Sequence, residues 1–435
     1  MNPSISSVLL ALAIVSAGCE SKPQTPPVPR NGPATETVSS AEGPRSLKLI
    51  APADADRPLT EPSQLPSDEQ LRDGWISLFD GQTLFGWTAN SETDWSVKNG
   101  EIVSTGPAGL LLTTSRFRDY ELTCEVWLAA GGNSGLFLRT VLDPVDPAKD
   151  CLEFNLCDSH ESYPTGSLVA RQKSSSEQKI EGGWHKVIVR LEGDRCVAVI
   201  DGQPVLDATN EGFSQTGGHQ IGLQQNGGEV RFRNVFLKPL GLEMILDVAS
   251  LGDWRFAPGE SDASVKADEN AVRLQGTGYL EGQATYGDFV LQFEAKLNAK
   301  DVNSGLFFRA EPSTKEAPSN GYELQLQNTI AGGDRTKPAD YGEGFGTGAI
   351  FRRQKARYVN ANDEEWFAVT LVADGNHFAS WVNGLQVTDF RDERQPDPNP
   401  RNGRRDEAGH LSLQGHDAAT DASFREVRIA PLAFE

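Results

Sequence analysis

Asn133-Ser134-Gly135-Leu136-Phe137-Leu138-Arg139 recurs as Asn303-Ser304-Gly305-Leu306-Phe307-Phe308-Arg309, a displacement of 170 residues. The same displacement carries Glu153 onto Glu323 and Asp158 onto Asn328. Further on, Arg171-Gln172-Lys173 returns as Arg353-Gln354-Lys355, now displaced by 182. Identical motifs in one order, with a small drift, indicate two copies of one domain and a loop insertion in the second. A solenoid would need at least three shorter units. Asn-Ser-Gly before an apolar run is read first as a turn leading into a strand, so the motif's main use is to align the copies.

The residues between these landmarks settle the fold class. Leu122, Cys124, Val126 and Leu128 share one face of an alternating segment, and Glu121, Thr123, Glu125 and Trp127 share the other. Asn99-Gly100, Asp201-Gly202 and Asn383-Gly384 are hairpin-turn dipeptides between apolar runs. With 43 Gly and 25 Pro in 435 residues, and almost no helical periodicity, the reading is all-β. Each copy is expected to be a two-sheet jelly-roll β-sandwich, over 67–240 and 241–435. One short helix is expected after Ser67, where a capping residue precedes Asp68 and Glu69. The second copy keeps Trp254, yet nothing in it is seen to match Leu78-Phe79-Asp80-Gly81.

The formal net charge of −21 disfavours nucleic acid and anionic lipid surfaces as partners over most of the molecule. A neutral sugar or glycoside remains compatible. Residues 1–19 read as an export signal, with a short apolar core from Val8 to Val15 ending at Ser16-Ala17-Gly18-Cys19. That ending is similar to a bacterial lipoprotein signal, which implies lipidation of Cys19 and attachment to the cell envelope or periplasmic face of a membrane. Residues 20–66, rich in Pro, Ser, Thr and Ala, are expected to form a disordered tether. Cys124, Cys151, Cys157 and Cys196 all fall in the first copy, where they are either disulfide-bonded or small buried hydrophobes. No spacing among them suggests zinc.

The strand that carries Glu153 locates a site. Leu152, Phe154 and Leu156 face one way, and Cys151, Glu153, Asn155 and Cys157 the other. In the second copy Glu323, Gln325 and Gln327 oppose Leu324 and Leu326. An apolar inner face with Glu, Asn and Gln outside presents a polar sheet surface. Arg171 with Lys173, and Arg353 with Lys355, have the parity to join it. Such a cluster suits a sugar cleft, although Glu–Arg pairs also decorate ordinary sheets at about 0.2–1 kcal/mol each. Aligning Gln224 with Gln414 places Asn226 against His416, so only the second copy has an imidazole there. Arg139 and Arg309 are second-rank candidates for the cleft. No Ser-His-Asp arrangement, phosphate loop or nucleotide fingerprint is visible.

The order Leu-Phe-Asp-Gly, Gly-Trp, Trp…Asn-Gly, Asn-Ser-Gly…Arg, a strand with Glu and Asp, Thr-Gly, Trp, Asn-Gly and Leu-Gln…His resembles the 3-keto-disaccharide hydrolase family, over about Gly74 to Leu432. The resemblance implies concanavalin A-like jelly rolls and an enzyme acting on glycosides oxidised to a ketone at sugar carbon 3. A C3 ketone acidifies the hydrogen at C2. A base can then form an enolate that expels the C1 oxygen, and water adds afterwards. On this reading Glu153 or Glu323 is the base, and Arg171 with Lys173 or Arg353 with Lys355 stabilises the enolate. His416, or Asp158 in the first copy, handles the leaving oxygen, while Asn155, Gln325, Gln224 and Gln414 bind substrate. No cofactor is required, though a divalent ion could replace a cationic stabiliser. The alternatives are a carbohydrate-binding protein without catalysis and a surface scaffold.

Overall fold

A computed structural model describes residues 49–432, apart from 61, 216–217, 259–261, 313–319, 331–332, 338–340 and 400. The expected export signal and Cys19 lie outside the described residues. Each copy forms two antiparallel sheets. In the first, an eight-stranded sheet runs in the order 203–209, 195–200, 184–192, 120–128, 230–239, 101–105 and 94–98, with Ile76–Ser77 paired beside Val230–Pro239. A five-stranded sheet orders 87–89, 109–113, 220–225, 134–140 and 152–156. The second copy repeats this plan, with an eight-stranded sheet that includes Phe289–Leu297 and Asp421–Pro431. Its five-stranded sheet orders 254–256, 278–286, 409–415, 304–310 and 322–326.

Alternation places the core between the sheets. Leu122, Cys124, Val126 and Leu128 meet Leu136, Leu138, Leu152 and Phe154 of the facing sheet in one buried cluster. Asn99, Asp201 and Asn383 adopt φ of 53°, 49° and 46° before glycines at 77°, 78° and 76°. These are the two left-handed positions that match a tight hairpin to strand twist. The helix Asp68–Arg72 is closed by a capping box in which Ser67 Oγ accepts from Gln70 N and the Gln70 side chain accepts from Ser67 N. All four cysteines of the first copy are buried free thiols, so the disulfide alternative falls. Burial pushes the Cys124 and Cys196 thiols up to about 12.

Two expectations are corrected. Residues 49–60 are not a loose tether but a strap along the sandwiches: Ile50 pairs with Ala89, Asp54 accepts from Val97 N at 2.8 Å, and Leu59 packs into the second copy's core. A few apolar and backbone anchors suffice to fix a proline-rich segment, because proline lowers the entropy lost on ordering. The opening of the first copy also has a counterpart, Ile245-Leu246-Asp247. Trp87 Nε1 donates to Leu78 O at 2.6 Å, and Trp254 Nε1 donates to Ile245 O at 3.0 Å across the same nine-residue interval. Asp80 accepts from the backbone and hydroxyl of Thr83, and Asp247 from those of Ser250.

The copies share a buried junction. Trp381, Val290, Val372, Ala379 and Leu432 of the second copy belong to the first copy's apolar cluster. Trp381 Nε1 donates to Ser77 O at 2.9 Å, and Ser77 N donates to Gly384 O at 2.8 Å. Arg357 reaches across to Asp80 at 2.6 Å, with side chains only 14% and 4% exposed. Arg116 makes a two-pronged pair with Asp374.

Candidate active site

The outer face of the five-stranded sheet carries the candidate residues in rows set by strand register. In the second copy one row reads Glu281, Ser412, Phe307, Glu323, and the next Tyr279, Gln414, Gly305, Gln325. In the first copy the corresponding rows are Leu112, Gly222, Phe137, Glu153 and Leu110, Gln224, Gly135, Asn155. Residues directly opposite in an antiparallel pair share a face, so these rows are side-chain neighbours. The copies keep the glutamate, the glycine, the glutamine and the phenylalanine. They differ where the first has Leu112, Gly222, Leu110 and Asn155 in place of Glu281, Ser412, Tyr279 and Gln325.

This face was expected to be an open polar surface, yet it is covered. Glu153 and Glu323 are 8% and 5% exposed, and Asn155 and Gln325 2% each. Burial pushes Glu153 up to about 7, opposed by the Gln224 amide donating to its Oε1 at 3.3 Å. Burial likewise pushes Glu323 up to about 7, opposed by Arg401, His416 and Arg352. A carboxyl that titrates near neutrality is suited to take and return protons.

Arg401 is the residue that sequence reading missed. Its Nη2 lies 3.4 Å from Glu323 Oε2, and its guanidinium sits 5.4 Å from the Phe307 ring centre and 5.9 Å from that of Phe351. It stands on the connection between the strands Leu385–Arg391 and Gly409–Gly415. That connection is anchored by Asp392, fully buried, which takes a two-pronged pair from Arg394 and a hydrogen bond from Tyr322 Oη at 2.7 Å. Tyr322 Oη in turn accepts from Arg405 N at 3.0 Å. The neighbour of the glutamate on its own strand thus fixes the loop that carries the arginine. A signal was present: Gly384 and Gly409 lie 25 apart whereas Gly202 and Gly218 lie 16 apart, and the extra length is rich in Arg. A cavity of about 250 Å³ opens here, lined by Tyr322, Glu323, Phe351, Arg352, Arg353 and Arg401.

The other candidates are dispersed. Arg171 bonds the carbonyls of Pro147 and Ala148, and Lys173 is exposed. The segment after Leu168 is a turn and not a strand, so the assumed alternation fails there. Lys355 donates to Gly342 O at 2.8 Å, away from Glu323. Arg353 lines the cavity and donates to Arg401 O at 2.8 Å, which makes it a support for Arg401. Asp158 accepts from Thr165 Oγ1 and the amides of Ile180 and Glu181, and Asn328 accepts from Thr347 Oγ1 at 2.6 Å. Both pin a loop, and neither points to leaving-group chemistry. Asn155 and Gln325 are tied by their amides to Tyr163 O and to Asn303 Oδ1 with Ser304 O.

Arg139 and Arg309 are removed from the site. Both are 0% exposed and sit at φ 47°. Arg139 bonds Arg118 O, Gly193 O, Phe213 O and Asp119, and Arg309 bonds Gly287 O, Gly375 O, Arg405 O and Asp288. Each joins chain segments from both sheets, which explains its repetition without any ligand. His416 is 45% exposed beside Asp417 at 2.9 Å and acts on Glu323 through its charge. Among the described residues no group of three or more His, Cys, Asp or Glu is placed to hold a metal ion.

Comparison with known proteins matches the chain to one family twice. The profile of the 3-keto-alpha-glucoside-1,2-lyase-like domain covers residues 74–238 and 242–430. A relative from Bacteroides thetaiotaomicron named 3-keto-disaccharide hydrolase is 25% identical over 238 residues, spanning 41% of this chain and 81% of that protein. Among solved structures, a Parabacteroides distasonis protein provisionally named a glycosyl hydrolase is 19% identical, with a TM-score of 0.36 over 41% of this chain and 99% of its own. The carbohydrate binding module CBM66 from Bacillus subtilis is 20% identical, with a TM-score of 0.29 over 35% of this chain and 95% of its own.

Proposed function

The chain belongs to the 3-keto-alpha-glucoside-1,2-lyase-like family, and from that premise we propose that its second copy cleaves 3-keto-glycosides with Glu323 as base and Arg401 as the cationic partner. The observation that carries the reading is the Glu323–Arg401 pair at the edge of a 250 Å³ cavity, absent from the otherwise similar face of the first copy. Around Glu153 the first copy places the apolar cluster Leu110, Leu112, Phe137 and Cys151, and the influences on Glu153 are burial and Gln224, with no cation among them.

The chemistry follows from the positions. Ionised Glu323 takes the hydrogen from C2, and the electron pair moves onto the C3 oxygen as an enolate. The Arg401 guanidinium beside it offers N–H donors to that developing charge. The enolate re-forms the ketone by expelling the C1 oxygen, which receives a proton from His416 or from water at this exposed rim. Water then adds across the C1–C2 double bond, its hydroxyl to C1, its remaining proton to His416 or to solvent, and a proton to C2 from Glu323, so the net change is hydrolysis and both groups are regenerated. A carboxyl held near 7 suits both transfers. The signal expected at residues 1–19 would place this reaction outside the cytoplasm.

Purified protein incubated with 3-keto-trehalose or 3-keto-sucrose, with and without chelator, tests the reading by product analysis. Release of the free sugar, with a transient enone-type intermediate, supports it. Binding of glycans with no turnover of any 3-keto substrate would replace it with a carbohydrate-binding role.

A further inference from the structure

The two copies share one feature that general base catalysis does not require. A Cβ placed on Gly305 would stand 3.1 Å from Glu323 Cγ and Oε1 and 3.3 Å from Gln414 Oε1. A Cβ on Gly135 would stand 3.1 Å from Gln224 Oε1 and 3.5 Å from Glu153 Cγ. The glycine lets a carboxyl and a carboxamide stand side by side over the strand, where a Cβ would crowd both. In both copies the glutamine oxygen beside that glycine is buried and has no hydrogen-bond partner, and Gln414 and Gln224 are 5% and 1% exposed. A buried unpaired acceptor is unfavourable, and the same orphan recurs at the same place in two diverged copies. An acceptor needs a donor. The 3-keto group is itself an acceptor and cannot fill this role, whereas a sugar hydroxyl can.

We propose that Gln414 is a specificity-determining residue whose side-chain oxygen, beside the Glu323 carboxyl, accepts a hydrogen bond from the substrate's C2 hydroxyl. The assignment rests on the proposed function, because the atom that meets both Glu323 and Gln414 is the carbon bearing both the hydrogen removed and a hydroxyl. Glu323 faces the hydrogen on C2 and Gln414 faces the oxygen on the same carbon. The pair fixes which hydrogen the base can reach, and a substrate without that hydroxyl leaves the Gln414 oxygen unpaired.

The test is a double-mutant cycle between protein and substrate, with kcat/KM measured on a 3-keto-glucoside and its 2-deoxy analogue. The wild type should prefer the hydroxylated substrate by about 10- to 100-fold. Gln414→Met, similar in shape but without the strong acceptor, should bring that ratio close to the intrinsic difference in reactivity. Gln414→Glu, which keeps an acceptor, should retain the preference even if its rate falls. Because the readout is a ratio, partial loss of folded protein does not mimic the result. An equal preference in wild type and Gln414→Met overturns the inference while Glu323→Gln still abolishes turnover, which leaves the assignment of the base intact. No turnover of either substrate by wild type overturns both.

Discussion

Replacing Arg401 with methionine removes the cation paired to the proposed base while keeping a long side chain over Phe307. Its nitrogen lies 3.4 Å from the carboxylate, and the two side chains are 28% and 5% exposed. At an effective dielectric near 20 the attraction is at most about 5 kcal/mol, and an adjacent opposite charge ordinarily lowers a carboxyl by about one to three pH units. Burial holds Glu323 at about 7 even with Arg401 present, so Arg401→Met should move the acidic limb of kcat/KM upward to roughly pH 8–10. At pH 7 the ionised fraction would fall from about a half to about 0.1–10%, a loss of roughly 5- to 500-fold that returns at higher pH. A further loss of about 100- to 1,000-fold, insensitive to pH, should come from the missing donors to the enolate. Arg401→Lys should keep the limb near its original place. Steady-state pH profiles of the three proteins decide the matter. An unmoved limb in Arg401→Met refutes the electrostatic coupling, and an unchanged rate refutes the role altogether.

Glu153 binds its proton more tightly folded than unfolded, so between its ordinary value of 4.5 and about 7 the native state holds the extra proton and stability falls as pH rises. Relative to Glu153→Gln, the wild type should therefore lose about 3 kcal/mol between pH 4.5 and 8 in urea titrations; a difference that is flat with pH contradicts this. Asp80→Ala strands Arg357 at the junction between the copies and should destabilise by about 3–5 kcal/mol, whereas a loss below about 1 kcal/mol would mean the pair is solvated. Arg139→Met and Arg309→Met should lower stability by a similar amount while leaving the KM of the folded protein unchanged. A raised KM without loss of stability would restore them to the cleft.

Much of this architecture was legible before any coordinates. The 170-residue echo of Asn133–Arg139 fixed the duplication, and the alternation at Leu122–Leu128 fixed a half-buried strand. The period of two also separated Glu153 from Leu152 and Phe154 correctly. What failed was the reading of the longer connections, whereas the two-residue turns at Asn99, Asp201 and Asn383 stood. Arg171 and Lys173 were assigned a strand's parity although their segment turns back on itself, and Arg139 looked like a ligand contact because repetition does not distinguish a buried staple from a site. Asp158 likewise repeats a structural contact to a threonine, a role that Asn328 performs with a carboxamide. Arg401 has no counterpart in the first copy, so an alignment built on shared residues could not reveal it. The opening of the second copy was missed because Ile245-Leu246-Asp247 keeps hydrophobicity and one carboxylate but not the glycine.

The central claim is that two similar glutamates, both held near 7, have parted in function because, among the described residues, a cation is paired to Glu323 and none to Glu153. Turnover of a 3-keto-glucoside by Glu323→Gln and by Glu153→Gln, each in the full chain, tests it most directly. The account predicts that Glu323→Gln loses at least about 1,000-fold in kcat, a floor consistent with removing a base that contributes 10²–10⁴-fold and also initiates the hydration step, while Glu153→Gln stays within a few-fold of wild type. Equal losses in the two variants, or survival of turnover in Glu323→Gln, would contradict it.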